Sequence, residues 1–307
     1  MHIGIVTCEI LRSEIAAVIE KSGVENVFFV LPEFEPETCS LALNITSKRM
    51  NARFSSEAKT KTGRRTKRRT KLKIKEKTIA GIKREIRERR IRNSVIVKVL
   101  DLRMHDYPDK LLAEVAGWVK KMSSVLGVDF VLLGYGLCGS TASEVERVVV
   151  DEAEVPVVIP RDGGGGDSGR DSGGGGEILN NCVEIALGRE RVRELLQEEV
   201  GTFFMTPAGA SIIKEPQVIL ESSINIRGAG RLNRSATCAA TDTPKIVKLM
   251  KNHYRRVVKI CYSDADEKDR EYSKTVEKFA KKFGLEVKVE RGSARIMLAA
   301  FEEALQP

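Results

Sequence analysis

The chain has 307 residues, 42% of them hydrophobic and 5% aromatic, and it carries a formal net charge of +9. This length allows one large α/β domain or two smaller ones around a mostly aliphatic core. No apolar run reaches the roughly 18 residues that a transmembrane helix requires. The apolar segment at the amino terminus is too short for a signal peptide and carries no positive charge. We therefore expect a cytoplasmic protein that does not associate with membranes.

Strands and helices alternate along the first two thirds of the chain. The hydrophobic pattern predicts its strands at 1–7, 24–31, 94–100, 128–133 and 155–159. It predicts helices at 9–21, at 109–126, and after a cap at Ser140 or Thr141. This alternation favours an α/β fold with a mostly parallel, Rossmann-like doubly wound sheet.

The carboxyl-terminal third repeats the same pattern on a smaller scale. Its strands are predicted at 257–261 and 285–289, and its helices at 243–252, 267–283 and 293–304. We predict an N-terminal α/β lobe over 1–205 and a second, smaller α/β lobe over 206–307. Two segments interrupt the first lobe, a basic insertion over 46–93 and a glycine-rich loop over 162–177 that has too few side chains to build a core.

The positive charge is concentrated in the basic insertion. Residues 48–92 contain 20 Lys or Arg and only four Glu, whereas the rest of the chain is mildly acidic. Such a segment can bind nucleic acid through its phosphates, but it lacks interleaved aromatic residues apart from Phe54 and has no recognised nucleic-acid-binding motif. A solvated insertion with nonspecific affinity for polyanions is the simpler interpretation.

A cysteine framed by glycines follows the strand predicted at 128–133. Gly134, Gly136 and Gly139 surround Cys138 and match the GxGxxG pattern of a dinucleotide-binding turn, in the required strand-to-helix context. The helix that follows is short, and the motif lies in the middle of the chain rather than on a first βαβ unit. The match is therefore weak evidence for nucleotide binding.

Four soft metal ligands follow predicted strands or lie in nearby loops: Cys8, His105, Cys138 and Cys182. The carboxyl ends of parallel strands lie along one edge of a sheet, where three thiolates and one imidazole could bind zinc or hold an iron–sulfur cluster. No two of the six cysteines have CxxC spacing, which excludes a zinc ribbon. Thiols buried in the core are the alternative, because unbridged cysteine is among the most buried residue types.

The chain resembles the domain of unknown function 1638 family over most of its length outside the two insertions. Residues 132–139, Leu-Leu-Gly-Tyr-Gly-Leu-Cys-Gly, are identical to a motif of that family. The first strand ends in Cys8-Glu9 as in the family, residues 104–111 approximate its Leu-His-x-x-Pro-x-x-Leu motif, and residues 158–161 match its Val-Ile-Pro-Arg element. The family continues from Pro-Arg into His-Asp-Cys, whereas here the glycine-rich loop intervenes before Cys182.

This family occurs largely in methanogenic archaea and anaerobic bacteria, often beside corrinoid-dependent methyltransferases. The resemblance therefore implies a role in one-carbon or corrinoid-linked methyl metabolism, with corrinoid methyltransferases as partners and a corrinoid as a further cofactor. It also strengthens the prediction of a metal or iron–sulfur site at Cys8, His105, Cys138 and Cys182. Arg161, at the end of a buried strand, is expected to hold an anionic substrate or cofactor group through its planar guanidinium.

Two other functions remain open from the sequence. The glycine turn could cradle a nucleotide or a corrinoid in a binding module without catalysis. The basic segment 48–92 could associate the protein with nucleic acid.

Overall fold

The main sheet has six parallel strands. In the computed structural model, the described residues are 1–31, 72–100, 107–163, 176–213 and 251–306. The strands of the main sheet are β1 (His2–Cys8), β2 (Asn26–Val30), β3 (Lys73–Lys77), β4 (Ser94–Leu100), β5 (Phe130–Gly134) and β6 (Val157–Val158). They are arranged in the order β3-β2-β4-β1-β5-β6. This sheet confirms the predicted mostly parallel, Rossmann-like α/β fold.

The remaining strands form two smaller sheets. A short antiparallel pair consists of β7 (Arg161–Asp162) and β8 (Glu177–Ile178), which close the ends of the glycine-rich loop. A second parallel sheet in the order β11-β10-β9 consists of β9 (Thr202–Met205), β10 (Arg256–Cys261) and β11 (Glu286–Arg291).

Ten α-helices are described. The first five are α1 (Arg12–Ser22), α2 (Ile79–Glu88), α3 (Pro108–Lys120), α4 (Ala142–Glu152) and α5 (Cys182–Leu187). The others are α6 (Arg189–Glu198), α7 (Pro207–Ile213), α8 (Asp264–Lys268), α9 (Arg270–Phe283) and α10 (Arg295–Ala304). A 3-10 turn, Glu9–Leu11, precedes α1, and a π-helical turn, Lys121–Leu126, extends α3. None of the described helices is long and apolar enough to cross a bilayer.

The central strands are buried on both faces, as expected for a parallel sheet covered by helices. All seven residues of β4 are buried, and so are the last six of β1. On one face α1 packs against α10, and on the other α3 packs against α4. Right-handed crossovers account for this distribution, because the chain leaves β1 toward β2 but leaves β5 toward β6.

The neighbouring strands β1 and β5 form the topological switch point of the sheet. Their outgoing connections run in opposite directions, and ligands bind at the carboxyl ends of such strands in open α/β sheets. Cys8 is the last residue of β1 and Gly134 is the last residue of β5. The two residues predicted as parts of one site therefore end adjacent strands.

The second sheet has its own small core. Tyr272, Phe279 and Phe283 of α9 pack with Met205 and Val257 of the sheet. The last helix, α10, instead returns to the core of the main sheet. The predicted division at 205/206 lies at the end of β9, a strand of the second sheet, and the division into two lobes stays a prediction.

Part of the segment predicted as a basic insertion belongs to the main sheet. Residues 73–77 form the edge strand β3, which pairs with β2, and α2 follows at once. The hydrophobic pattern missed β3 because its sequence, Lys-Ile-Lys-Glu-Lys, contains a single apolar residue. Residues 46–71 of the predicted insertion, 164–175 of the glycine-rich loop, and 243–250 of the predicted helix lie outside the described residues.

Candidate functional site

The glycine turn after β5 lies directly against the segment that precedes α5. The backbone N–H of Leu137 donates to the carbonyl of Leu179 at 2.9 Å, and that of Cys138 donates to the carbonyl of Asn180 at 2.8 Å. A Cβ atom at Gly136 would lie only 2.6 Å from the backbone nitrogen of Asn181. Glycine at this position is therefore what allows the two backbones to approach.

Asn181 and Glu184 hold Cys182 in place beside this turn. The side chain of Asn181 caps α5, since its Oδ1 accepts from the backbone N–H groups of Val183 and Glu184 at 3.0 Å each. The buried Glu184 carboxylate accepts in return from the backbone and the side chain of Asn180 at 2.8 and 3.0 Å. These local bonds fix the start of the helix, where Cys182 is the first residue.

Cys8 reaches the same place from β1. Thr7 is the register partner of Gly134, and its hydroxyl donates to the Gly134 carbonyl at 2.9 Å. Cys8 is the next residue, and it pairs on its other side with Leu100 of β4. Its side chain is 1% exposed, whereas that of Cys182 is 4% exposed and that of Cys138 is half-buried.

The three thiols meet in what we call the cysteine cluster, Cys8, Cys138 and Cys182. The side chain of Cys182 interacts with those of both Cys8 and Cys138. This interaction, followed by burial, raises the pKa of Cys8 and of Cys138, because it favours the protonated thiol. The charge of Cys138 has a smaller effect on Cys8 than Cys182 has. The cluster is therefore a row with Cys182 in the middle.

Backbone N–H groups act on the thiols of the cluster in the opposite direction. That of Ile10 lowers the pKa of Cys8, and those of Gly136 and Cys182 lower the pKa of Cys138, because a nearby N–H group stabilises a thiolate.

Cys138 has a backbone conformation that L-residues rarely adopt. Its φ is +47°, and the only other non-glycine residue with positive φ among those described is Arg90. Such a conformation costs about 1 kcal/mol or more and persists only where the surroundings impose it. The bond from Cys138 N–H to Asn180 supplies part of that constraint. Strain of this kind is typical of functional turns.

Tyr135 places a buried hydroxyl beside the cluster. Its side chain is 1% exposed, and its hydroxyl has no hydrogen-bond partner among the residues that the structure describes. Burial raises the pKa of Tyr135 first, and the charges of Cys138 and Cys182 raise it further. A buried polar group without a partner is unusual and invites an explanation. The sequence interpretation missed this residue, although it stands between Gly134 and Gly136.

The remaining predicted site residues are Gly139, Arg161 and His105. Gly139 has a φ of +101°, and a Cβ there would lie 2.8 Å from Pro108 at the start of α3. Arg161 donates to the carbonyl of Gly176 at 3.0 Å and forms an ion pair with Glu146 at 2.7 Å. Its guanidinium is thus engaged at the β7–β8 pair, and its role toward an anionic ligand stays a prediction. His105 lies outside the described residues.

Across the described part of the chain, no group of three or more His, Cys, Asp and Glu side chains is arranged to hold a metal ion. None of the four described cysteines takes part in a disulfide bond.

Part of the basic charge in 48–92 has a structural role. Lys77 pairs with Glu85 at 2.8 Å and Arg89 does so at 3.3 Å, and Lys75 also contacts this carboxylate. The Glu85 side chain is only 6% exposed. The two lysines lower the pKa of Glu85 to about 2. These three cations are therefore engaged in ion pairs within the fold.

Comparison with known families agrees with the motif around Cys138. A family described as Protein of unknown function (DUF1638) matches residues 99–300. The chain belongs to this family. The DUF1638 match includes Cys138, Cys182 and Arg161, whereas Cys8 precedes it. No curated protein and no solved structure matches the chain.

Proposed function

We propose that the cysteine cluster binds a thiophilic metal centre, either zinc or an iron–sulfur cluster. The observation that carries this proposal is the contact of the Cys182 thiol with both Cys8 and Cys138 at the switch point of the main sheet. Three sulfurs from separate elements of the fold supply most of a tetrahedral ligand set.

The chemistry of the donors fits such a centre. Binding would replace the thiol protons of the cluster, and metal affinity would therefore rise with pH. The N–H groups of Ile10, Gly136 and Cys182 would remain as hydrogen bonds to thiolate sulfurs, the kind of outer contact that tunes metal sites. Cys8 and Cys138 would have to move toward a common centre.

His105 is the proposed fourth ligand. Both ends of the segment that carries it are described and lie at the cluster, since Leu100 pairs with Cys8 and Pro108 lies against Gly139. An imidazole beside three thiolates would complete a Cys3His set.

The family resemblance supports a role in one-carbon or corrinoid-linked methyl metabolism, with corrinoid methyltransferase proteins as partners. A bound corrinoid would be retained as a coloured species when the protein is purified without oxygen. The glycine positions themselves give no support to a phosphate cradle, because the protein's own residues Asn181 and Pro108 fill the space beside Gly136 and Gly139.

Metal analysis of protein purified without oxygen tests the proposal. We expect stoichiometric zinc or iron in the unmodified protein and its loss in Cys182→Ser. Cys261→Ser is the matched control, because Cys261 is equally buried but lies in the second sheet. Equal metal content in both variants, or none in the unmodified protein even after reconstitution with zinc or with iron and sulfide, would exclude a metal centre at the cluster.

A further inference from the structure

We propose that Cys138 and Cys182 form a reversible disulfide, so that this pair exchanges electrons with small thiols and disulfides. This activity goes beyond metal binding and does not depend on it. Both properties use the same sulfurs, and so oxidation of the pair and occupation by a metal would exclude one another.

The geometry brings this pair together more firmly than any other described cysteines. The backbones beside the two cysteines are tied together: Cys138 N–H donates to Asn180 at 2.8 Å, and a Cβ at Gly136 would lie 2.6 Å from the backbone nitrogen of Asn181, which caps the helix that begins at Cys182. Both the side chain and the backbone N–H of Cys182 act on the Cys138 thiol. Two thiols on backbones held this close need little movement to form a bond.

The three cysteines of the cluster differ in their exposure to solvent, and this difference assigns the roles of Cys138 and Cys182. Cys138 is half-buried, whereas Cys8 and Cys182 are almost completely buried. An external disulfide therefore reaches Cys138 first. Cys182 is the resolving thiol, because it already contacts Cys138 from inside.

The reaction is a pair of thiol–disulfide exchanges. The raised pKa of Cys138 keeps most of this thiol protonated, so the reaction proceeds through its minor thiolate form and becomes faster as the pH rises. That thiolate attacks one sulfur of a small disulfide, forms a mixed disulfide and releases one thiolate, which takes up the proton lost by Cys138. The Cys182 thiolate then attacks the Cys138 sulfur, forms the Cys138–Cys182 bond and releases the second small thiol with the remaining proton. The two cysteines lose two electrons in total, and the external disulfide gains them.

Disulfide mapping of the full-length, metal-free protein tests this inference. The protein is equilibrated without oxygen in mixtures of reduced and oxidised glutathione containing a chelator, then alkylated, digested and analysed by mass spectrometry. We expect a Cys138–Cys182 peptide that appears and disappears with the glutathione ratio. Cys8→Ser and Cys261→Ser should keep it.

Two cysteine variants distinguish the two exchange steps. Cys182→Ser should lose the internal disulfide and accumulate glutathione on Cys138, and Cys138→Ser should lose both products. Circular dichroism spectra like that of the unmodified protein show that the variants are folded, and mapping of the unmodified protein decides the matter if they are not. No Cys138–Cys182 peptide at any ratio, or a disulfide formed instead between other cysteines, would overturn the inference. The chelator keeps this outcome separate from that of the metal analysis.

Discussion

Replacing Gly136 with alanine tests the close approach that builds the cysteine cluster. The added Cβ would lie 2.6 to 2.8 Å from three backbone atoms of Asn181. Backbone atoms cannot rotate away as the end of a flexible side chain can, so the turn and the segment before α5 must separate. That separation strains the bonds from Leu137 to Leu179 and from Cys138 to Asn180.

The size of the effect follows from these contacts. Forcing one extra methyl group into a packed site costs about 1–3 kcal/mol, and each strained backbone hydrogen bond adds about 1 kcal/mol. We therefore expect Gly136→Ala to lower the free energy of unfolding by about 3–5 kcal/mol. The midpoint of urea unfolding should fall by roughly 1–2 M.

Urea unfolding can be followed by the fluorescence of Trp118, the only tryptophan, which is 6% exposed. Gly117→Ala is the matched control, because Gly117 lies inside α3 with nothing within 4 Å of its Cβ position. Alanine there should stabilise the protein by about 0.5–1 kcal/mol. A Gly136→Ala variant as stable as the unmodified protein would refute the close approach of the two backbones.

Three further substitutions test other parts of the structure. Tyr135→Phe should leave stability unchanged or raise it by about 1 kcal/mol, because it removes a buried hydroxyl without a described partner; a clear loss in urea unfolding would mean that the hydroxyl is bonded. Glu85→Gln should lower stability at neutral pH by roughly 1 kcal/mol, since its ion pairs are partly screened. The pKa of Glu85 is lowered from 4.5 to about 2, so its contribution to stability is present above pH 4.5 and lost as the pH falls toward 2. The stability of the variant should therefore depend less on pH over that interval. Equal slopes of stability against pH in the two proteins would contradict the pairing. Tyr272→Phe should cost about 1–2 kcal/mol, because its buried hydroxyl shares its one proton between the carbonyls of Met205 and Ile260, at 2.6 and 2.9 Å, and so joins β9 to β10. Unchanged thermal unfolding would show that this bonding contributes nothing.

The sequence predicts the main sheet well because its buried strands carry strong apolar signals. The strand predicted at 94–100 is β4 as observed, and Thr141 forms the predicted helix cap, with a reciprocal bond from Glu144. The edge strand β3 escapes prediction because none of its residues is fully buried and three of its five residues are lysines. Its position depends on pairing with β2, which local sequence does not encode.

Part of the candidate site, like part of the fold, can be predicted from the sequence. The strand ends predict that Cys8 and Cys138 share an edge, because parallel strands place their carboxyl ends together. The row arrangement, with Cys182 in the middle, depends on contacts between distant segments, above all the approach of Gly136 to Asn181. The burial of Tyr135 is likewise a tertiary property, whereas Asn181 caps α5 through local bonds.

A cobalt(II) titration of the reduced protein without oxygen tests the central claim most directly. Thiolate coordination produces an intense sulfur-to-cobalt charge-transfer absorption, whose intensity grows with the number of bound sulfurs. We expect this absorption at stoichiometric cobalt, a weaker absorption in Cys8→Ser, Cys138→Ser and Cys182→Ser, and no change in Cys261→Ser. An unmodified protein without the absorption, or cluster variants that all retain it in full, would contradict the account.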